Sequence, residues 1–251
     1  MVGSLDGHVA LVTGGATRIG AEICRTLAAA GARVAIHYND SKSAADELAD
    51  EIHANGGAAF VIQANLAHDI NRKALVDSIV SQEKTLDILV NNASIFESIL
   101  LDGMTSDAAR MMWNVNAEAP LMLTHYALPF LRTGEGESPG SVVNIIDNAS
   151  GRGDWAELSH YCASKAALLS MTRSLAQELA PQVRVNAVGP GAIMFQDWES
   201  KEKRSSILAS IPMQRQGTAA EIAETVLFLI DGPRYITGQI IDVDGGWSLS
   251  G

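Results

Sequence analysis

The sequence predicts an α/β protein built on a doubly wound parallel sheet within a single domain, and three observations predict it. Short apolar, β-branched runs recur seven times along the 251 residues, each about the length of a buried strand. Stretches with helical spacing separate them, and such alternation implies parallel strands with helices on both faces. No Pro/Ser/Gly-rich tract divides the chain, so residues 1–251 read as one domain. Right-handed crossovers then bring the strands' carboxyl ends to one rim, where ligands bind.

Taken in order, HVALVT (8–13) is the first strand, and Thr13-Gly14-Gly15-Ala16-Thr17-Arg18-Ile19-Gly20 follows it at once. Gly14 permits a tight turn close to a phosphate, and Gly20 permits close helix–strand packing. The helix that opens there offers free N–H groups to a pyrophosphate. No Gly-Lys-Ser/Thr follows, so the loop is not a Walker A. In RIGAEICRTLAAAG the apolar Ile19, Ile23 and Leu27 share a face, and Gly31 supplies the stop.

RVAIHY (33–38) is the second strand, and its end decides the cofactor. Asp40 fits the count for an acid that grips a ribose 2′-hydroxyl, which favours NAD. It stands past the apparent strand end at Tyr38, however, while Arg18, Ser41 and Lys42 suit a 2′-phosphate. The reading favours NADP. The next helix, SKSAADELADEIHANGG, ends at Gly56-Gly57, and AAFVIQ (58–63), LDILVN (86–91) and SVVNII (141–146) follow as strands, with TGEGESPGS (133–141) as a loop. Tyr161-Cys162-Ala163-Ser164-Lys165 opens a further helix and puts Tyr161 and Lys165 at i and i+4 on one face. A phenol with a pKa of about 10 is a poor acid–base group at neutral pH. A neighbouring ammonium favours the phenolate and makes proton exchange feasible. VRVNAV (183–188) and QIIDVD (239–244) complete the strands. Between them, residues 194–212 break the rhythm; they read as a lid over the rim, or as a surface helical insertion.

Composition limits the partners. The hydrophobic content is 47% and the charged content 19%, which suits a packed globular core. A net charge of −11 disfavours nucleic acid and anionic membranes. Cys24 and Cys162 form no CxxC, so a reducing, cytoplasmic setting is expected. MVGSLDGHVALVTGG lacks the features of a signal peptide, and no apolar run is long enough to span a membrane. The six histidines are scattered without ligand spacing, so no metal site is expected.

The motifs together resemble the short-chain dehydrogenase/reductase family over nearly the full length. The matching segments are Thr13–Gly20, Asn91-Asn92-Ala93, Asn116 in NVNAEAP, Tyr161-x-x-x-Lys165, Arg184-Val185-Asn186 with Pro190-Gly191, and Thr237-Gly238-Gln239 through Asp244-Gly245-Gly246. The resemblance implies a Rossmann-like seven-stranded domain, usually a homotetramer. It implies that Tyr161 is the proton donor, that Lys165 holds the ribose and lowers the tyrosine's pKa, and that Asn116 supports a water chain to the lysine. Cofactor contacts would come from Gly14, Arg18, Ile19 and Gly20, and from Tyr38, Asn39 and Ser41. Others would come from Asn65 and Leu66, from Asn92, Ala93 and Ser94, from Tyr161 and Lys165, and from Pro190, Gly191 and Ile193.

Two departures resemble the pteridine and dihydromonapterin reductases. Arg18 stands where the common family loop has Gly, and Asp147 stands where the catalytic Ser precedes the Tyr. Asn92-Ala93-Ser94-Ile95-Phe96 is similar to them too. That likeness implies an NADPH-dependent reduction of a pterin or folate-like C=N bond. Arg18, Ser94, Phe96, Asp147 and Tyr161 would hold the substrate. A carboxyl group in a partly dry site can be kept protonated and donate to a ring nitrogen. Asp147 lies 14 residues before Tyr161, one more than the family spacing, so a bulge is required, and Asn148 or Ser150 are the other candidates. Met194 replaces a common Thr. A carbonyl reductase acting on a 3-oxoacyl thioester or a sugar is the alternative activity.

Overall fold

A computed structural model describes residues 3–131, 139–148, 155–195 and 200–249. Seven strands form one sheet: β1 Val9–Val12, β2 Arg33–Tyr38, β3 Ala58–Gln63, β4 Ile88–Asn91, β5 Gly140–Ile145, β6 Val183–Pro190 and β7 Ile240–Val243. Every pairing is parallel, in the order β3-β2-β1-β4-β5-β6-β7. The chain reverses its direction of winding between β1 and β4, which is the switch point where such sheets bind ligands. The expected strands are present, with ends shifted by a residue or two.

Alternation along the strands builds two cores. Ala10 and Val12 of β1 face one side, with Val34 and Ile36 of β2. That side is covered by α1 (Arg18–Ala29), α2 (Lys42–Ala54) and α8 (Ala219–Asp231), through Ile23, Leu27, Leu48, Ile52, Ile222 and Val226. Val9 and Leu11 face the other side. There α3 (Asp69–Glu83), α5 (Ala119–Leu131) and α6 (Ser159–Leu179) pack through Leu75, Ile79, Leu123, Ala127 and Leu179. Because both faces are covered, the strands are nearly continuous apolar runs.

The shorter helices sit at the rim. α4 (Ser106–Trp113) passes through a π-helical turn, Asn114–Glu118, into α5. α7 (Lys201–Ser210) begins at Ser200, whose hydroxyl accepts from the Lys203 N–H, and it buries no residue. The segment expected to be a lid therefore carries an exposed helix, and its residues 196–199 lie outside the described residues. The Arg184 and Asn186 motif is structural. The Arg184 guanidinium donates to the Leu229 and Ile230 carbonyls at 2.7 Å, so it closes the end of α8, and Asn186 holds the β7 approach through Ile236 and Gln239. Among the described residues, no helix is long and apolar enough to cross a membrane.

Candidate active site

The glycine loop lies at the switch point. Gly14 has φ +61°, and a Cβ added to it would stand 3.0 Å from the Ala93 Cα. A Cβ on Gly20 would stand 2.1 Å from the Gly14 carbonyl oxygen. Thr13 ties this loop to the loop after β4: its hydroxyl accepts from the N–H groups of Asn92 and Ala93 at 2.9 and 3.0 Å. The Asn92 amide returns two bonds, to the carbonyls of Thr13 and Gly14. The first helical bond of α1 runs from Ala21 N to Thr17 O, no side chain caps the helix, and its first turn holds no acid. A close glycine turn leading into an uncapped helix N-terminus fits the pyrophosphate of a dinucleotide.

Beside the glycine loop, β2 does stop at Tyr38, which leaves Asp40 in the exposed turn, with its carboxylate accepting from Asn39 Nδ2. Ser41 precedes α2 with no capping bond. Lys42 is paired with Asp46 at 2.6 Å, an exposed i,i+4 contact of little energy. Asn65 and Leu66 follow β3; Asn65 Oδ1 accepts from the Ala67 N–H, and the Leu66 carbonyl is tied to Arg72, a residue the sequence reading passed over. Arg72 is 1% exposed; it donates to Leu66 O at 2.6 Å and to Asn114 O at 2.9 Å, which joins the segment after β3 to the π-turn. His37 was also missed. It is 2% exposed; its Nδ1 accepts from the Gly14 N–H and its Nε2 donates to Ala64 O, both at 3.0 Å. Burial pushes its pKa down to about 4, so the ring is neutral. On the other wall, Pro190 ends β6, a Cβ on Gly191 would meet Asp244, and Ile193 is buried.

At the centre, Tyr161 Oη donates to Asp147 Oδ2 at 2.7 Å. The extra residue in the spacing does not keep Asp147 away. Asn148 turns elsewhere, toward Asp244 at 3.4 Å, and Ser150 lies outside the described residues. Lys165 is buried, and its Nζ donates to Ile145 O at 2.9 Å and lies 6.0 Å from the Tyr161 ring centre. Burial pushes the ammonium's pKa down to about 8, against the pull of Asp147. The expected depression of the tyrosine pKa is not what this geometry produces. Burial, with the negative Asp147 beside it, holds the phenol well above its ordinary value, so Tyr161 keeps its proton.

Asn116 lies in the π-turn, fully buried. Its Oδ1 accepts from the Ile95 N–H at 2.9 Å, and its Nδ2 donates to Ile95 O at 2.9 Å and to Ser164 Oγ at 3.2 Å. It clamps the Ser94–Ile95 segment to Ser164 in the second turn of α6, and Ser94 Oγ donates to it at 3.2 Å. Lys165 is not among its partners. Phe96 is 40% exposed and meets Tyr161 edge-on at 4.8 Å and 85°, so it is not core. Trp155 packs on the same cluster and stands 5.9 Å from Trp247, two further rings the sequence reading did not select. Arg18 has φ +54°, which explains a family preference for Gly there, and its Nη2 donates to Met194 O at 2.9 Å across the groove mouth.

Residues 14–248 match the family described as enoyl-(acyl carrier protein) reductase. The chain belongs to the short-chain dehydrogenase/reductase family. Among relatives of this family, the 3-oxoacyl-[acyl-carrier-protein] reductase of Staphylococcus aureus is 37% identical over 241 residues, 94% of this chain and 96% of that protein. Among solved structures, the blue fluorescent protein from a metagenomic library in complex with NADPH is 36% identical at a TM-score of 0.88, covering 97% of this chain and 99% of that one. FolM alternative dihydrofolate reductase 1 from Brucella canis, complexed with NADP, is 35% identical at a TM-score of 0.90, covering 99% of this chain and 96% of that one.

Proposed function

We propose that this short-chain dehydrogenase/reductase is an NADPH-dependent reductase that acts on a C=N bond of a pterin or folate-like ring. The family membership and the NADP-bound relatives support NADP as cofactor. The first turn of α1, set by the glycine loop, would hold the pyrophosphate, Ser41 and Lys42 the 2′-phosphate, and Lys165 the nicotinamide ribose. The bound cofactor supplies a hydride to a ring carbon. The rest falls to the chain's own side chains.

The observation that carries the reading is the Tyr161–Asp147 contact of 2.7 Å with the exposed Phe96 ring beside it. A carbonyl reductase needs a hydroxyl to polarise an oxygen, whereas a C=N reduction needs a proton placed on nitrogen. Asp147 is half-buried and so reaches water, and Tyr161 retains its phenolic proton. The pair can pass one proton toward a ring nitrogen and recover it from solvent through the carboxyl group. Phe96 offers a face for stacking, and Ser94 and Arg18 offer hydrogen bonds at the ring edge.

Reduction of a 3-oxoacyl thioester is the second reading, favoured by the Staphylococcus aureus relative. NADPH oxidation by the purified protein separates the two. Turnover with dihydrobiopterin and none with acetoacetyl thioesters is expected, and the reverse result overturns the pterin reading. Asp147→Ala is expected to lose pterin turnover by about 100-fold or more while NADPH binding is kept. Unchanged turnover in that variant would remove Asp147 from the chemistry.

A further inference from the structure

We infer that His37 is a positioning residue for the cofactor, setting the shape of the adenosine and pyrophosphate pocket from beneath it. The inference rests on the NADP-binding reading above and adds a residue to it.

The argument begins with the loop's hydrogen bonds. The Gly14 and Gly15 N–H groups both point inward, to His37 Nδ1 at 3.0 Å and to His37 O at 2.8 Å. The loop therefore does not present these two amides to a phosphate. Their anchoring leaves that task to the amides of the first turn of α1. On the far side, His37 Nε2 donates to the carbonyl of Ala64, the residue that leads from β3 into Asn65 and Leu66. The following backbone bond, Ala64 N to Tyr38 O at 3.1 Å, holds the same strands together. One buried imidazole thus joins the phosphate loop to the segment that would flank the adenine. Both ring nitrogens are used, which fixes the tautomer with hydrogen on Nε2. No apolar side chain can make either bond, and its presence would leave the half-buried Gly14 N–H without its acceptor.

The two bonds can be separated by geometry. An asparagine at 37 can place its Oδ1 where Nδ1 stands and keep the Gly14 bond, but is too short to reach Ala64. A glutamine can place its amide where Nε2 stands and keep the Ala64 bond, but cannot accept from Gly14. NADPH dissociation constants, read by the enhancement of NADPH fluorescence, and melting temperatures are measured for wild type, His37→Asn, His37→Gln and His37→Leu. We expect His37→Asn to stay within about threefold of wild type, and His37→Gln to weaken NADPH by about tenfold at a melting temperature similar to that of His37→Asn. His37→Leu would weaken it at least as much if it folds. Equal affinities in the Asn and Gln variants, or losses that simply follow melting temperature, would show a general structural role and overturn the inference. Failure of the wild type to bind NADPH would instead remove the cofactor reading, and the inference with it.

Discussion

Tyr161 and Lys165 have opposite electrostatic problems in the same dry pocket. Burial discourages the phenolate at one and the ammonium at the other. The lysine's proton is the one that sits close to working pH. With a pKa of about 8, Lys165 is charged at pH 7 and loses its charge as pH rises through 8. If the ammonium is the form that supports the ribose and the phenol, turnover falls above that pH. The pH profile of kcat/KM should therefore show an alkaline limb near pH 8. In Lys165→Arg, which cannot lose its proton in this range, the limb should disappear even if the rate is reduced. A limb unchanged in that variant would assign it to another group. That Tyr161 and Lys165 share a face was legible from their i,i+4 spacing, and their chemical meaning only together with the glycine loop; which of Asp147, Asn148 and Ser150 faces the tyrosine was left open by the one-residue excess in spacing. The direction of the phenol's shift was not, because it depends on how completely α6 is covered and on which group the hydroxyl faces.

The phosphate loop and α1 show what a sequence discloses about an element and what it withholds. Gly14 and Gly20 mark the turn and the close helix because no other residue fits there. The strands were readable because both faces of a covered parallel sheet demand apolar side chains. The π-turn at Asn114–Glu118 was not readable, since its residues keep helical propensity; the added residue is recognised only through its bonding pattern. Arg72 carries no motif that would single it out on α3, and only the carbonyls of Leu66 and Asn114 around it show a buried strut. For the loop the consequence is measurable. In Gly20→Ala the new methyl would stand 2.1 Å from Gly14 O and 2.7 Å from Asn92 Nδ2. Neither neighbour can give way without moving α1 or the β4 loop, so a destabilisation of about 1–3 kcal/mol is expected, with weaker NADPH binding. Gly103→Ala, with nothing within 4 Å of the new methyl, is the control and should stay within about 0.5 kcal/mol. Urea unfolding and NADPH titration of both variants check this.

Across the whole molecule, the same fold that makes a nucleotide pocket makes it sensitive to acid. His37 titrates at about 4 in the native protein, because charging the ring would desolvate an imidazolium and set it against the Gly14 N–H. In the unfolded chain it titrates at about 6.5. Between these values the unfolded state carries a proton that the native state does not, so stability falls as pH drops from about 6.5 toward 4. Above about 6.5 both states are unprotonated and the group has no effect. The full difference amounts to about 3 kcal/mol, a large share of a typical domain's stability. Denaturation midpoints measured at pH 7.5 and at pH 4.5 should therefore separate more widely for the wild type than for His37→Asn. Since every other carboxylate and histidine is common to the two proteins, their contributions cancel in that comparison. Equal separations would mean that the acid sensitivity belongs to other groups and that position 37 does not resist protonation in the folded state.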